Sequence, residues 1–373
     1  MNPQSVFCPN VECPARGRSA EGNISVHSRK EERYVCAVCQ QTFSATKGSL
    51  FYRLRTDSVQ VMVVITLLAY GCPVPAIVKA FGYDERTVKE WWKRAGAHCR
   101  QVHEHLVEQR QFDLEQVQAD EIKAKVQGGS VWMAMALMVS TRLWLGGVIS
   151  ARRDSALIVQ LVAKVRGMTL CRPLLLAVDG LVSYVGAFQS AFRSPLPRFG
   201  KPGRPQLVAW PDIVIVQVVK HRTAAGLDIV RRIVQGAAPA VADLIQRSQG
   251  GGVINTAYIE RLNATFRQRL ACLARRTRHL IQEQATLTAG MYVVGCFYNF
   301  SDEHESLRLR LWLTKNRHRW VQRTPAMAAK LTDHCWTPTE LLTAKVPPPP
   351  WTPPPHRGRR SKEMLALIAR WCS

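Results

Sequence analysis

Long apolar runs are missing from this 373-residue chain: the two longest, Val61 to Tyr70 and Val131 to Val139, reach about ten residues, half of the ~20 that a membrane-spanning helix needs. The opening residues lack the pattern of a secretory signal. Acidic residues are scarce as well. Against 51 Lys and Arg stand 27 Asp and Glu, a formal net charge of +24, so the chain repels itself unless a polyanion is near. Nucleic acid is the expected polyanion. A ribosome or a membrane surface would tolerate the same charge, but neither accounts for apolar runs that end in carboxylates. There is no internal repeat. Cysteine is not scarce, but its 11 residues are odd in number, with four near the start and seven scattered, which argues against a disulfide framework. The expectation is a cytoplasmic protein, with no membrane partner, whose thiols are zinc ligands or core fillers. At 47% hydrophobic residues the chain can fill at least one proper core.

Composition divides the chain into four stretches: a polar Cys-bearing segment 1–45, a helical region 46–110, a region 111–345 alternating strand-like and helix-like patterns, and a tail 346–373. The tail opens with the Pro-rich run Pro347 to Pro355, read as a stiff spacer because prolines favour an extended chain. Its basic run His356-Arg357-Gly358-Arg359-Arg360 is read as solvated.

In the first stretch Cys8 and Cys13 form C-x4-C, and Cys36 and Cys39 form C-x2-C after 22 intervening residues. That two-knuckle spacing suits four thiolates around a structural zinc, a zinc ribbon. A segment so short and polar buries little apolar surface, so the metal would supply much of its folding free energy. His27 is read as a surface loop residue. Next come helices expected over Val59 to Tyr70, Val74 to Phe81 and Glu85 to His98, with a Gly82-Tyr83-Asp84 turn before the last. Ala76, Ile77, Ala80, Val88 and Trp91 have the spacing to pack a helix pair, leaving Arg86, Thr87, Lys89, Lys93 and Arg94 outside. This is the pattern of a helix-turn-helix whose second helix lies in a DNA major groove. Cys99, His103 and His105 are read as exposed linker-helix residues.

Beyond Gln111 the pattern turns to strands: Gln116 to Ile122 with Asp120 and Glu121, Val131 to Ser140, and Arg142 to Ser150. A helix over Asp154 to Arg166 precedes Leu174 to Val178, a buried-strand pattern closing on Asp179-Gly180. Another such strand is Ile213 to Val219, and a long helix from Asn255 to Arg276 carries Glu260. Three strands, helix, strand, helix, strand, helix is a ribonuclease-H-like order, so the expected class is multidomain α/β with a mixed sheet and flanking helices. An Asp ending an apolar strand needs a partner, and a divalent metal is an economical one. Asp120, Asp179 and Glu260 could hold two Mg2+ ions ~4 Å apart for in-line phosphoryl transfer. At 100° per residue Ile259, Leu262, Phe266, Leu270 and Leu273 form the core stripe of the helix, while Glu260, Asn263 and Arg267 line one flank with Ala271 and Ala274. An ordinary amphipathic helix with a solvated Glu is the plainer alternative.

The strings Tyr258-Ile259-Glu260-Arg261-Leu262-Asn263, Ala177-Val178-Asp179-Gly180 and Ala119-Asp120-Glu121, with the Cys-bearing opening and Phe43-Ser44-Ala45-Thr46-Lys47-Gly48, resemble bacterial insertion-sequence transposases of the acidic-triad type. Tyr298-Asn299-Phe300, His304 and Ser306-Leu307-Arg308 extend the likeness, which covers the chain to about residue 345. The resemblance implies cutting of element ends with Mg2+ or Mn2+, and joining of the freed 3′ hydroxyls to target DNA. It also implies Asp120, Asp179 and Glu260 as the triad, double-stranded DNA as partner, a homo-oligomer on DNA, and a bacterial nucleoid-associated setting. Adjacent strand residues point to opposite faces, so Asp120 is preferred over Glu121 as ligand. The 81-residue step from Asp179 to Glu260 is long for this type. Part of it, Arg193 to Trp210, is read either as a DNA-facing insertion or as a solvated loop. Two other functions stand beside this one: a DNA-binding regulator that keeps the fold without the chemistry, and a structure-specific nuclease.

Overall fold

The computed structural model describes residues 1–197, 203–223, 226–277, 279–314 and 317–372, in two compact units. The first unit joins Met1–Gln60 to the chain from Leu342 onward. Its sheet has three antiparallel strands, β1 (Ile24–Ser28), β2 (Arg33–Cys36) and β3 (Thr42–Ser44). Alternation along β2 buries Tyr34 and Cys36, which join Val6, Ile24 and Phe43 in a small core around the cysteines.

The tail departs from its reading as a spacer. The segment 347–355 has neither helix nor strand, as its prolines require, yet it is tied down: Arg16 Nε donates to the Pro349 carbonyl at 2.7 Å and Arg16 Nη2 to that of Pro350 at 3.0 Å. The terminal helix Lys362–Trp371 then places Trp371 in the core of the cysteine unit, with Trp351 and Leu367 packed beside it. Arg18 covers the Trp371 ring and donates to its carbonyl. A polar segment with few apolar side chains of its own gains a core by borrowing aromatics from the other end of the chain.

The second unit, Val61–Leu341, is mixed α/β. It opens with three helices, α1 (Ser58–Ala69, which begins just before the boundary), α2 (Val74–Phe81) and α3 (Glu85–His103). Gly82, with φ 71°, closes α2, and Asp84 caps α3 by accepting from the Arg86 amide. Ile77, Val88 and Trp91 are buried as expected, whereas Ala76 and Ala80 are exposed. Helix α3 runs a turn further than expected, and Cys99 and His103 are fully buried. They are core residues, which corrects the exposed-linker reading.

There follow β4 (Gln116–Val126), β5 (Gly129–Met138), β6 (Trp144–Ser150), α4 (Ser155–Gly167), β7 (Leu174–Val178) and α5 (Val182–Ala191). A short hairpin, β8 (Arg193–Pro195) with β9 (Leu207–Ala209), occupies the stretch read as an insertion, part of which lies outside the described residues. Then come β10 (Ile213–Thr223), β11 (Gly226–Gln235), α6 (Ala238–Gln249), α7 (Ala257–Arg269) and α8 (Gln284–Cys296), and an outlying hairpin of β12 (Leu309–Thr314) and β13 (Arg317–Val321). The main sheet has the order β11-β10-β7-β4-β5-β6. Its central pairs β10–β7 and β7–β4 are parallel and the rest antiparallel. The sequence pattern missed β11 and α6, which account for much of the long step to Glu260.

Helix α6 packs Val241, Leu244 and Ile245 against Leu175, Ala177, Val214 and Val216 of the sheet. At the far edge Trp144 is fully buried between His103 and Tyr292, with ring centroids 4.4 and 5.8 Å away. Asn299 holds its backbone on both sides, accepting from the Trp144 N–H and donating to its carbonyl at 2.9 Å each. Burial pushes the His103 imidazole down to about 3, so it sits in this core uncharged. Gly295 is the position where α8 crosses the Trp144 ring; an added Cβ would overlap it at 2.2 Å. Among the described residues no helix is long and apolar enough to cross a membrane.

Because Trp371 is 2% exposed, Trp371→Ala should weaken the cysteine unit by roughly 3–5 kcal/mol, the usual loss for a buried Trp. Limited proteolysis should then cut within residues 1–60 at a lower temperature than in the parent, while fragments of the second unit persist. Equal protease resistance of the two proteins would show that the tail is not part of this core.

Candidate metal centres and an acidic cleft

Two knuckles shape the cysteine cluster. The Gly17 N–H closes on the Cys8 carbonyl at 3.1 Å, and the Gln40 N–H closes on that of Cys36 at 2.8 Å, with Gln40 at φ 57°. These turns aim all four thiols inward. Cys8 and Cys39 sulfurs lie 3.7 Å apart and those of Cys13 and Cys36 3.9 Å apart, and all four fall within 4.8 Å of one another. Thiolates ~2.3 Å from a tetrahedral zinc have sulfurs about 3.8 Å apart, so Cys8, Cys13, Cys36 and Cys39 fit a zinc ion. Burial pushes the Cys13 thiol up to about 12 and raises Cys8 as well. Burial acts in the same sense on Cys39, but hydrogen bonds outweigh it and lower that thiol; at Cys8 and Cys13 the pocket favours the protonated form, and a dication would supply the compensating charge. His27 is exposed on β1, apart from this cluster.

The second centre follows from strand register. Parallel pairing of β4 with β7 ends with Ala119 opposite Val178, so the next residue on each strand, Asp120 and Asp179, falls at the same level and on the same face. Gln118, two residues before Asp120 and therefore on that face, accepts from the Tyr258 and Ile259 N–H groups at 3.1 and 3.0 Å. The strand thus caps α7 and sets Glu260 in its first turn beside the aspartates. Asn263, one turn on and fully buried, donates to Asp120 Oδ2 at 2.7 Å. Its own Oδ1 is buried with no partner. Helix α7 ends at Arg269. Leu270 and Leu273 still reach the core, but Ala271 and Ala274 do not continue its flank, which corrects the longer helix expected.

Glu121 points to the opposite face. Its side chain is buried, takes a guanidinium bond from Arg153 Nε at 2.6 Å, and accepts from the Tyr184 hydroxyl at 3.0 Å. Arg153 Nη2 also lies 3.6 Å from Asp179 Oδ2, so one cation bridges the two faces around the strand ends. Oxygens of Asp120, Glu121 and Asp179 come within 4.8 Å of one another. Glu260 is held otherwise, by Lys220 and by the Thr256 hydroxyl at 2.6 Å.

Asp120, Asp179, Glu260, Asn263 and Arg267 share an open cleft of about 680 Å³ with Arg153, Lys220 and Arg275. Burial, then repulsion from Glu121, pushes the Asp120 carboxyl up to about 7. Burial acts in the same sense on Glu260, but its bonds from Lys220 and Thr256 outweigh it and hold the group below the ordinary carboxylate range. The hard, crowded oxygens of Asp120, Glu121 and Asp179 could hold a divalent cation, while Glu260, paired with Lys220, stands outside that group. The cationic rim fits phosphate.

Arg86, Thr87, Lys89, Lys93 and Arg94 lie on α3 and do not line this cleft. Arg86 is exposed, Lys89 pairs with Glu85, and Lys93 pairs with Glu283 at 2.7 Å, so two of the expected phosphate contacts already have anionic partners. The sequence reading missed Arg153, Tyr184 and Lys220. Lys220 carried a signal, since it directly follows an apolar run parallel to the one that ends at Asp179. Arg153 and Tyr184 carried none, because only packing brings them to Glu121.

Purified protein should hold about one zinc per chain, and Cys36→Ser should release it and loosen residues 1–45 while the second unit stays folded; elemental analysis with proteolysis checks this. At the cleft, the raised Asp120 group is protonated below about pH 7, so a divalent ion must displace a proton there. Mn2+ affinity should fall as pH drops from 7.5 to 5.5, with close to one proton released at pH 6 when calorimetry is compared in two buffers. Known protein families and curated proteins, compared with this chain, show no match to it.

Proposed function

We propose that the chain is a DNA transposase of the acidic-triad type, with Asp120, Asp179 and Glu260 as its triad. The observation that carries this is the convergence of those three carboxylates, from two adjacent strands and one helix, on a single cleft rimmed by Arg153, Lys220, Arg267 and Arg275. Three strands, a helix, a strand, a helix and a further sheet strand before the glutamate helix support a ribonuclease-H-like assignment for this region, with β11 and the β8–β9 hairpin as additions. We take α2 and α3 as a helix-turn-helix and the cysteine unit as a zinc ribbon, both serving to bind element ends.

Asp120 and Asp179, with Glu260, would hold Mg2+ or Mn2+, which when bound supplies activation of an attacking oxygen and charge neutralisation at the scissile phosphate. The chain's own groups do the rest. Asn263 orients Asp120 through its 2.7 Å bond. Arg267 and Arg275 are placed to take phosphate oxygens, and charge-assisted bonds of this kind are about twice as strong as neutral ones. Arg153 sets the spacing of Asp179 from Glu121. Lys220 neutralises Glu260 until another cation takes its place.

That last contact also favours a second reading, a DNA-binding regulator in which Lys220 keeps Glu260 from any metal and no cutting occurs. A paired assay separates the two: gel-shift affinity for terminal DNA, and Mg2+- or Mn2+-dependent nicking of it. Asp120→Asn, Asp179→Asn and Glu260→Gln should bind normally and nick below detection, since removing one carboxylate charge from such a site raises the barrier by several kcal/mol. Glu121→Gln should keep most nicking and lose stability, by roughly 1–3 kcal/mol, because Arg153 and Tyr184 lose a charged acceptor. A parent protein that binds ends tightly and never nicks with either metal would establish the regulator reading.

A further inference from the structure

The hairpin of β12 and β13 is exposed on both faces along its whole length. From Arg308 to Arg323 the sequence holds Arg308, Arg310, Lys315, Arg317, Arg319 and Arg323 and no carboxylate. Register sets Arg310 opposite Trp320 and Trp312 opposite His318, which puts these four side chains on one face. There they form a ladder: the Arg310 guanidinium lies over Trp312 at 4.0 Å and within 5.9 Å of Trp320, and Arg308 covers Trp320 at 4.2 Å. His318 meets both indoles edge-on at 5.3 and 5.7 Å.

A two-stranded hairpin outside a larger sheet is marginal in water, and an exposed indole contributes nothing to a core. Yet Trp312 is 54% exposed and Trp320 41%. Stacking between guanidinium and indole fixes both rings in place while leaving part of each in solvent. Immobilised indoles between cations, with Glu305 paired to Arg308 at 3.3 Å just before the hairpin and no carboxylate within it, complement a ligand that has both flat apolar faces and negative charge. A paired duplex offers charge but keeps its base faces stacked. An unpaired strand offers both.

We propose that the Trp312–Arg310–Trp320–Arg308 face of this hairpin binds single-stranded or locally unpaired DNA, its indoles stacking on bases and its guanidinium groups holding phosphates. The choice of DNA rests on the function proposed above, whose chemistry opens a duplex at a cut; the stacking site itself rests on the hairpin alone. The aliphatic face, with Leu309, Leu311 and Val321, is not part of the site.

The test uses the full chain with two fluorescent probes, an oligo-dT single strand and a mixed-sequence blunt duplex. Trp312→Ala with Trp320→Ala should weaken oligo-dT binding by roughly ten- to a hundredfold, the usual cost of losing base stacking, and change duplex binding less than threefold. Trp312→Phe with Trp320→Phe keeps a ring at each position and should retain most of the affinity, which separates stacking from collapse of the hairpin. A 5-bromodeoxyuridine strand should photocrosslink to the peptide containing Trp312 or Trp320 in the unaltered protein. Crosslinks confined to other peptides, equal losses on both probes, or a variant that loses self-association in sedimentation while binding oligo-dT normally would each overturn the proposal. Crosslinking at the hairpin in a protein that never nicks DNA would support it while removing the catalytic reading, so the two fail separately.

Discussion

The parallel ladder between β4 and β7 stops at Ala119 and Val178, and the next residue on each strand is an aspartate. Everything else about the cleft follows from that termination. Because the strands are parallel and in register, Asp120 and Asp179 fall at the same level and on the same side, Asp179 just past the end of β7 and Asp120 within β4, where it still pairs with Met135 of β5. Because side chains alternate along β4, Gln118 shares that side and anchors the start of α7. A shift of one residue in either strand would send one aspartate through to the opposite face.

Charge is balanced there by position more than by number. Asp120, half-buried beside Glu121, has an amide from Asn263 but no cation at bonding distance among the described residues, and its proton is correspondingly hard to remove. Glu121 has Arg153, and Glu260 has Lys220. The site is therefore anionic in the middle and cationic at its rim. A dication in the centre would complete that pattern, and under the proposed function phosphodiester oxygens would lie toward the edge. Opposite charges so close together in a partly open cleft are individually worth little in water, but their placement decides what can enter.

The two units solve the same problem by different means. The second has a six-stranded sheet with helices packed on it, enough apolar surface to be held by packing, down to the clamp that Asn299 puts on Trp144. The first has few apolar side chains. It combines four thiols at zinc spacing with aromatics brought from the far end of the chain, so a bound metal and Trp371 would act together where a larger core serves elsewhere.

Local pattern determined a great deal. Paired cysteines at short spacing announced the four-sulfur cluster, because knuckle geometry is a local property of the turn. An apolar run ending in aspartate located β7 and Asp179, because a buried strand needs continuous apolar residues and tolerates a charge most easily at its end; β4 was located by the strand pattern that holds Asp120 and Glu121. The 3.6-residue repeat around Glu260 located α7 and its buried face. Where that helix stops, at Arg269, was settled by Leu270 turning into the core, a tertiary choice that periodicity does not carry. The same holds for Cys99 and His103, read as exposed, of which the first meets Cys296 and the second lies under Trp144 and Tyr292. Arg153 and Tyr184 reach Glu121, and Trp371 reaches the cysteine cluster, from positions far away in sequence. Residue types and periods determined the elements and their chemistry; long-range packing, which depends on all the faces at once, decided which charges meet and what the two ends of the chain share.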